Sequence, residues 1–453
     1  MNKKNIVILG AGISGLATAY WLHKKGYNLT VLEANSESGG TMISEKKDDF
    51  LIDYGPNSGL ETTPLIRELV NDIGLQNELI YANKEAKKRY ILKNDTLLPL
   101  PTNPLAFITT SLFSIKAKLQ LLAEPFIGKP KNALDENIAS FVRRRLGQEF
   151  LDYAVNPFVS GVYAGDPEKL SVAAALPKLY ALEEQYGSLI KGAIKGRKER
   201  AKNKETSKQR AQLFSFKNGM QSFPLALAKK LEANIFYNAT VNSVVKKDNF
   251  YIVNYIEGNE NKSLNANIII STLPAYIAAN VFTAIDPQLS THLRDIYYPK
   301  VMTLYLGFKK KDIARQLDGF GFLIPAKENK TFLGAIWNSV LFPNRAPDET
   351  ASFTLFIGGA RMPQVFEMEK IKLIDMVLKE FKEIMKISSD PIFITEKLWQ
   401  HAIPQYNIGY HEYENYFQQF EKEHPGLFLS GNYRGGISIG DCIKNADNAI
   451  KKI

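Results

Sequence analysis

The 453 residues are 45% hydrophobic and 23% charged, a globular composition long enough for about two to three domains at roughly 150 residues each. A single cysteine, Cys442, excludes an internal disulfide and any multi-cysteine metal site, and the five histidines have no metal-binding spacing, so no metal is expected. The formal net charge of +10 is concentrated in Lys191–Lys217, where ten lysines and arginines stand against two glutamates; without interleaved aromatics the run argues against nucleic acid and leaves a solvated or mobile loop, or a contact with anionic lipid head groups.

At the N-terminus, Lys3 and Lys4 followed by IVILGAGISGLATA imitate a signal peptide, but cleavage at Ala17–Ala19 would cut through a glycine motif that continues downstream. Asn5–Leu9 reads instead as a buried parallel strand and Ser14–Lys25 as a helix, with Gly10, Gly12 and Gly15 forming GxGxxG between them. In such a motif the first glycine permits a tight turn, the second lets backbone approach a pyrophosphate, and the third lets helix pack on strand. The helix N-terminus then faces the phosphates. A second strand, Asn28–Ala34, contains Glu33 near its end, where a carboxylate suits a ribose and repels a 2′-phosphate. These spacings predict a dinucleotide-binding α/β fold. The pair Gly39-Gly40 that follows is not expected of an ordinary NAD dehydrogenase.

Leu97–Phe126 is apolar, with Pro99, Pro101 and Pro104 at its start and only Lys116, Lys118 and Glu124 charged. Two readings stand: a helix packed in the core, or a helical region dipping into one leaflet. No apolar run reaches the ~18–20 residues of a membrane span. Asp135–Ser171 reads as an amphipathic helix followed by a loop punctuated by Gly and Pro. Near the C-terminus, Leu427–Ser430 reads as a strand, followed by a loop carrying Gly431, Gly435 and Gly436, and then a helix.

GxGxxG, Glu33, Gly39-Gly40, FLIDYGPNS (Phe50–Ser58) and the C-terminal LFLSGNYRGGISIGDCIKNADNAI together resemble the signature of a large FAD-dependent oxidoreductase family that includes amine oxidases, phytoene desaturases and protoporphyrinogen oxidases. Three segments narrow it: Lys87–Phe126, similar to the mitochondrial branch, Asp135–Ser171, and HAIPQYNIGY (His401–Tyr410). Over nearly its whole length the chain resembles the oxygen-dependent protoporphyrinogen oxidases.

The resemblance implies a discontinuous Rossmann-like FAD-binding domain of the p-hydroxybenzoate hydroxylase and amine oxidase type, built from residues 1–80, 211–275 and 395–453. It also implies a mixed-sheet substrate-binding domain (81–96 and 276–394) and a helical membrane-associating domain (97–210). NATVNSVVKK, around Val241, would touch the adenine, and Ile268–Pro274 would be another strand of the FAD domain. Non-covalent FAD would be held by Gly10, Ala11, Gly12, Ile13, Ser14, Gly15, Glu33, Ala34, Gly39, Gly40, Thr41, Gly55, Pro56, Asn57, Ser58 and Val241, and from the C-terminus by Gly431, Asn432, Gly436, Ile437, Ser438 and Ile439.

The implied activity is oxidation of protoporphyrinogen IX to protoporphyrin IX in three flavin cycles, with O₂ reduced to H₂O₂ and no catalytic side chain, the flavin carrying the chemistry. Arg89 would pair with a propionate, Gly161 would contribute its carbonyl, and Leu323, Ile336 and Phe356 would wall the macrocycle; as strand residues these three also suit plain core. Coproporphyrinogen III is the alternative substrate. An amine oxidase would typically carry a flavin-side lysine where Thr303 stands, and often a flavin-linked cysteine before the C-terminal loop, whereas Cys442 follows it. Non-enzymatic prenyl-protein carriers of this fold would lose the glycines present here. The expected location is the cytoplasm, peripherally on the inner face of the cell membrane, with room for a homodimer and for transient contact with ferrochelatase.

Overall fold

The structure is a computed structural model that describes residues 4–84, 86–128, 135–202 and 211–453, with 197–202 described by backbone alone. Its first sheet is five-stranded and wholly parallel, in the order Ile235–Phe236, Asn28–Leu32, Asn5–Leu9, Ile268–Ser271, Leu427–Leu429. Strands from the start, middle and end of the chain thus share one sheet. Parallel strands are covered on both faces, and the central strand reads accordingly as an unbroken apolar run. Ile6 and Ile8 face the helices Ile13–Lys24 and Ile439–Ile450. Val7 and Leu9 face a layer that includes an antiparallel sheet of Ala239–Lys247, Phe250–Glu257 and Glu260–Ala266. The second strand stops at Leu32, short of Ala34, and the fourth at Ser271, short of Pro274, where Thr272 turns its hydroxyl onto the Leu9 carbonyl at 2.8 Å.

A second sheet has seven strands, in the order Phe393–Trp399, Val301–Lys309, Thr350–Gly358, Gly334–Ile336, Gly319–Leu323, Lys88–Lys93, Thr96–Pro99. It is mixed: only Gly319–Leu323 with Lys88–Lys93 is parallel. One face packs through Phe322, Ala335 and Leu355 onto the helix Lys370–Met385, around Phe381. Its outer strands cross the expected segment limits at 96/97 and 394/395, and the helices Ala275–Val281 and Pro287–Asp295 pack with the layer containing Val7 and Leu9.

Between the sheets the chain is helical, and three expectations change. Asp135–Ser171 stays helical from Ile138 almost to Tyr163 rather than yielding to a loop, with a wide π turn over Leu151–Val155. Pro157 has no N–H for the carbonyl one turn back, and the wide turn absorbs that loss. The loop begins only at Ala164, where φ is +47°. Leu97–Phe126 is no single helix: the strand ends at Pro99 and two short helices follow, Pro104–Thr109 capped by Asn103 and Ile115–Ala123 capped by Ser114. The segment divides between the two readings: Leu97, Leu112, Phe113 and Ala117 are buried in the core, whereas Leu105, Ile108, Ile115, Leu119, Leu122 and Phe126 are exposed, Phe126 at 88%.

The described part of the basic run is also a helix, Leu189–Lys202, followed by the strand Leu213–Phe216, in place of the expected loop; residues 203–210 lie outside the described residues. Lys, Arg, Ala and Leu are good helix formers. The buried Glu124 carboxylate also receives the amides of Leu189 and Ile190 at 2.8 and 3.2 Å. Among the described residues no helix is long and apolar enough to cross a membrane.

Candidate active site

The N-terminal glycines build an open cradle. Gly10, at φ +97°, donates to the Leu32 carbonyl at 2.8 Å and turns the chain off the first strand. A Cβ on Gly15 would lie 2.0 Å from the Gly10 oxygen, so only glycine lets the helix sit this close. Gly12 heads the helix without a side-chain cap, and a Cβ there would meet nothing within 4 Å. The first-turn amides of Ile13, Ser14 and Gly15 therefore have no intrahelical acceptor. Gly39 bridges to Gly12 and donates to the Ala11 carbonyl at 3.0 Å, while a Cβ on Gly40 would stand 3.4 Å from the Gly12 Cα. Glu33 is buried; one oxygen accepts from the Ala11 amide at 2.7 Å, the other from Asn35. Ala34 and Thr41 border this cradle and are exposed, and the half-buried Val241 follows Ala239, whose amide donates to the Glu33 carbonyl at 2.8 Å.

A second group of residues gathers where both chain ends meet. The buried strand Phe50–Asp53 runs into Gly55-Pro56-Asn57-Ser58, and a Cβ on Gly55 would stand 1.8 Å from the Thr41 carbonyl oxygen. The Asn57 amide donates to the Asp53 carbonyl at 2.6 Å, leaving its buried Oδ1 without a partner. In the C-terminal loop Gly431 and Gly436 hold φ near +125°, at +125° and +124°. Ser438 caps the last helix ahead of buried Ile439, and Asn432 and Ile437 are half-buried. The loop is braced by two tyrosines for which sequence reasoning found no role. The Tyr406 hydroxyl donates to the Asn432 carbonyl at 2.6 Å and accepts from the Gly436 amide at 3.0 Å, and the Tyr410 hydroxyl donates to the Tyr433 carbonyl. Burial raises both phenols well above their ordinary range and keeps them protonated donors.

FAD fits these residues. The cradle has space at Gly12, free helix amides for a pyrophosphate and a buried carboxylate for a ribose, and Asn57 offers an unpartnered acceptor. Cys442 lies inside the last helix, where burial pushes its thiol up to about 11 and Ser14 is its side-chain partner.

The five expected substrate residues converge on one face of the seven-stranded sheet. In register, Arg89, Gly321, Ile336, Thr354 and Tyr305 form one row across the strands. Ile91, Leu323, Gly334, Phe356, Thr303 and Lys397 form the next. Residues opposite one another share a face, and those two positions apart share it too. Leu323, Ile336 and Phe356 are half-buried, whereas Phe322, Ala335 and Leu355 on the other face form the core. Gly161, on the helix Asn156–Tyr163, opposes this face: a Cβ there would lie 2.5 Å from a Leu323 methyl. Phe158 and Val162 on the same helix are exposed, an apolar surface that helical spacing alone did not single out. Arg89 is exposed, lies 5.4 Å over the Phe320 ring, and forms no ion pair among the described residues.

Two further features escaped the sequence. Thr303, buried, sits opposite Lys397, whose ammonium rests over the rings of Trp399 and Tyr54 at 4.9 and 5.7 Å. Asp53 faces Arg345 at 3.6 Å with both side chains buried; burial raises the carboxyl and lowers the guanidinium, and the pair ties the strand leading to Gly55 to the second sheet. Such pairs leave no periodic trace, since Thr303 and Lys397, like Asp53 and Arg345, lie far apart in sequence.

Residues 13–449 match the family described as flavin containing amine oxidoreductase. The chain is 33% identical to protoporphyrinogen oxidase 2, chloroplastic/mitochondrial, of Arabidopsis thaliana, over 99% of this chain and 93% of that protein. It is 29% identical to coproporphyrinogen III oxidase of Bacillus subtilis, over 99% of this chain and 97% of that one. Among solved structures, a candidate protoporphyrinogen oxidase from Exiguobacterium superposes with a TM-score of 0.81 at 22% identity, covering 100% of this chain and 98% of that one. Putrescine oxidase bound to putrescine superposes with a TM-score of 0.70 at 14% identity, covering 99% and 98%. At these identities the structural likeness establishes the fold.

Proposed function

The chain belongs to the flavin-containing amine oxidoreductase family, in its porphyrinogen oxidase branch, and from that premise we propose that it oxidises protoporphyrinogen IX to protoporphyrin IX. Its cofactor is FAD. The first-turn amides of Ile13 and Ser14 would hold the pyrophosphate, Glu33 a ribose, and Gly55–Ser58 with Gly431–Ile439 the ring, without a covalent link. Bound FAD supplies the two-electron chemistry, three rounds of which remove six electrons and six protons from the macrocycle and turn three O₂ into three H₂O₂.

The residues of the chain bind and orient. The observation that carries this reading is the single sheet face bearing Arg89, Leu323, Ile336 and Phe356 opposite Gly161. The guanidinium fork matches a propionate. Leu323, Ile336 and Phe356 give flat apolar walls that exclude water, and Gly161, with Leu323 packed where its side chain would stand, would offer its backbone carbonyl to a pyrrole N–H. No titrating side chain is required at the reacting carbon.

Coproporphyrinogen III stands as a second reading because of the Bacillus subtilis relative. That substrate carries four propionates rather than two, and the two rows beside these walls hold two cations, Arg89 and Lys397, the latter held over Trp399 and Tyr54, which favours protoporphyrinogen. Aerobic incubation of the purified yellow protein with each porphyrinogen tests the choice: the higher kcat/KM is expected for protoporphyrinogen, and the reverse order would refute it.

The helical middle of the chain is the membrane-associating part of this reading, on the cytoplasmic side of the cell membrane. The exposed side chains Leu105, Ile108, Ile115, Leu119, Leu122 and Phe126 would enter one leaflet. Release from cell membranes by detergent but not by salt is expected; full solubility without detergent would count against it.

A further inference from the structure

The helix Leu189–Lys202 is fixed at the end of the exposed apolar residues by a buried charge node. Glu124 and Arg145 are both fully buried and pair at 3.2 Å. The same carboxylate accepts from the Ser188 hydroxyl at 2.6 Å and from the Leu189 and Ile190 amides at 2.8 and 3.2 Å, so it caps the basic helix. Arg145 also donates to the Ile127 carbonyl at 2.7 Å and to Glu183 at 2.6 Å. Every charge in the node is paired internally, and the node ties the first turn of the helix to Glu124.

Outside the node, two kinds of surface meet. Ile115, Leu119 and Leu122 recur at i, i+4 and i+7 along one stripe, continued by Phe126. Ile194 of the basic helix is 63% exposed, with Lys191 and Lys195 exposed on either side of it in sequence. The Lys191 ammonium reaches the Pro125 carbonyl at 3.1 Å, next to Phe126. Lys191, Lys195 and Lys116 form no ion pair among the described residues. Beyond Lys195 the helix continues with Arg197, Lys198, Arg200 and Lys202 against a single Glu199.

We infer that this helix is the electrostatic half of the membrane contact and reads anionic lipid head groups while the neighbouring stripe enters the acyl region. The inference rests on the bilayer reading of the apolar stripe given above. Uncompensated cations bordering an unpartnered apolar stripe match a negatively charged leaflet, where the lysines stay at head-group level and the apolar side chains go deeper.

Flotation of the full-length holoprotein with two kinds of vesicle, phosphatidylcholine alone and phosphatidylcholine with phosphatidylglycerol, tests this. The wild type should prefer the anionic vesicles. At about fivefold per lysine, Lys191→Gln with Lys195→Gln should weaken that binding about 30-fold at low salt and leave phosphatidylcholine binding unchanged. Unchanged FAD content and turnover in detergent would confirm that the double variant folds. Leu119→Ser with Leu122→Ser should weaken binding to both vesicles. Equal binding of the wild type to both, or an anionic preference that survives the lysine changes, overturns the inference while the bilayer contact stands. Binding to neither overturns the bilayer reading and the inference together.

Discussion

Replacing Gly12 with alanine should leave the fold standing and remove the cofactor, whereas the same change at Gly15 should damage both. Gly12 has no neighbour within 4 Å of a built Cβ and is not in the left-handed region, so the fold loses only the difference between Gly and Ala at a helix N-cap, under about 1 kcal/mol. In the proposed site, however, that methyl would stand between the first-turn amides and a pyrophosphate. Losing two charge-assisted hydrogen bonds at about 1.5 kcal/mol each gives about 3 kcal/mol, or on the order of 150-fold in Kd. At Gly15 the Cβ would lie 2.0 Å from the Gly10 oxygen and 2.8 Å from the Thr272 hydroxyl. A carbon–oxygen contact needs about 3.3 Å, so the helix must retreat by roughly 1 Å, an overpacking cost of about 1–3 kcal/mol. The measurements are apoprotein Tm and FAD affinity from quenching of flavin fluorescence. Wild-type FAD affinity in Gly12→Ala, or an equal loss of Tm in the two variants, would refute the reasoning.

Arg89→Ala should raise KM for protoporphyrinogen about tenfold or more with a smaller change in kcat, since an exposed guanidinium that gains a carboxylate contributes about 1.5 kcal/mol of uniform binding; Arg89→Lys should recover part of it, and an unchanged KM would remove the anchor. Tyr406→Phe deletes both hydrogen bonds that brace the loop at Asn432 and Gly436, so FAD affinity should fall about fivefold and the visible flavin spectrum should shift. An unaltered spectrum with unaltered affinity would show the brace to be idle. Cys442, with its thiol pushed up to about 11 by burial, should stay silent to thiol reagents in mildly alkaline buffer until the protein unfolds. Immediate labelling of the native protein would contradict that burial.

The cradle was legible because its constraints are local. Gly10, Gly12 and Gly15 lie within one turn, and Glu33 follows one strand later, so turn geometry and strand spacing place them without knowledge of the rest of the chain. The second sheet was less legible. Its outer strands, Thr96–Pro99 and Phe393–Trp399, are joined by pairing partners far away in sequence, and no periodicity marks where one body of the fold hands over to another. The basic run misled for a definite reason: charge density was read as solvation, while the capping carboxylate that stabilises the helix comes from Glu124, some sixty-five residues earlier. The apolar segment before it left two readings open because hydrophobicity gives no sign of which side a residue faces; in the fold Leu112 and Phe113 turn to the core while Ile115, Leu119 and Leu122 stay exposed.

The segment His401–Tyr410 joins the two halves of the site in a way that no single motif conveys. Tyr406 bonds both ends of the C-terminal glycine loop through its hydroxyl, accepts the Ser171 amide on its carbonyl at 2.8 Å, and lies 6.2 Å from the ring of Tyr163. Gln405 donates to the Tyr163 carbonyl at 2.8 Å, and Tyr163 ends the helix that carries Gly161. The wall at Gly161 is therefore tied to the loop at Asn432 and Gly436 by buried and partly buried hydrogen bonds, all of them to backbone groups, rather than by exposed side chains free to change rotamer. A reaction that draws its electron chemistry from the cofactor needs from the protein a fixed distance between ring and substrate. Gln405 and Tyr406 supply the hydrogen bonds by which the chain joins those two proposed halves of the site.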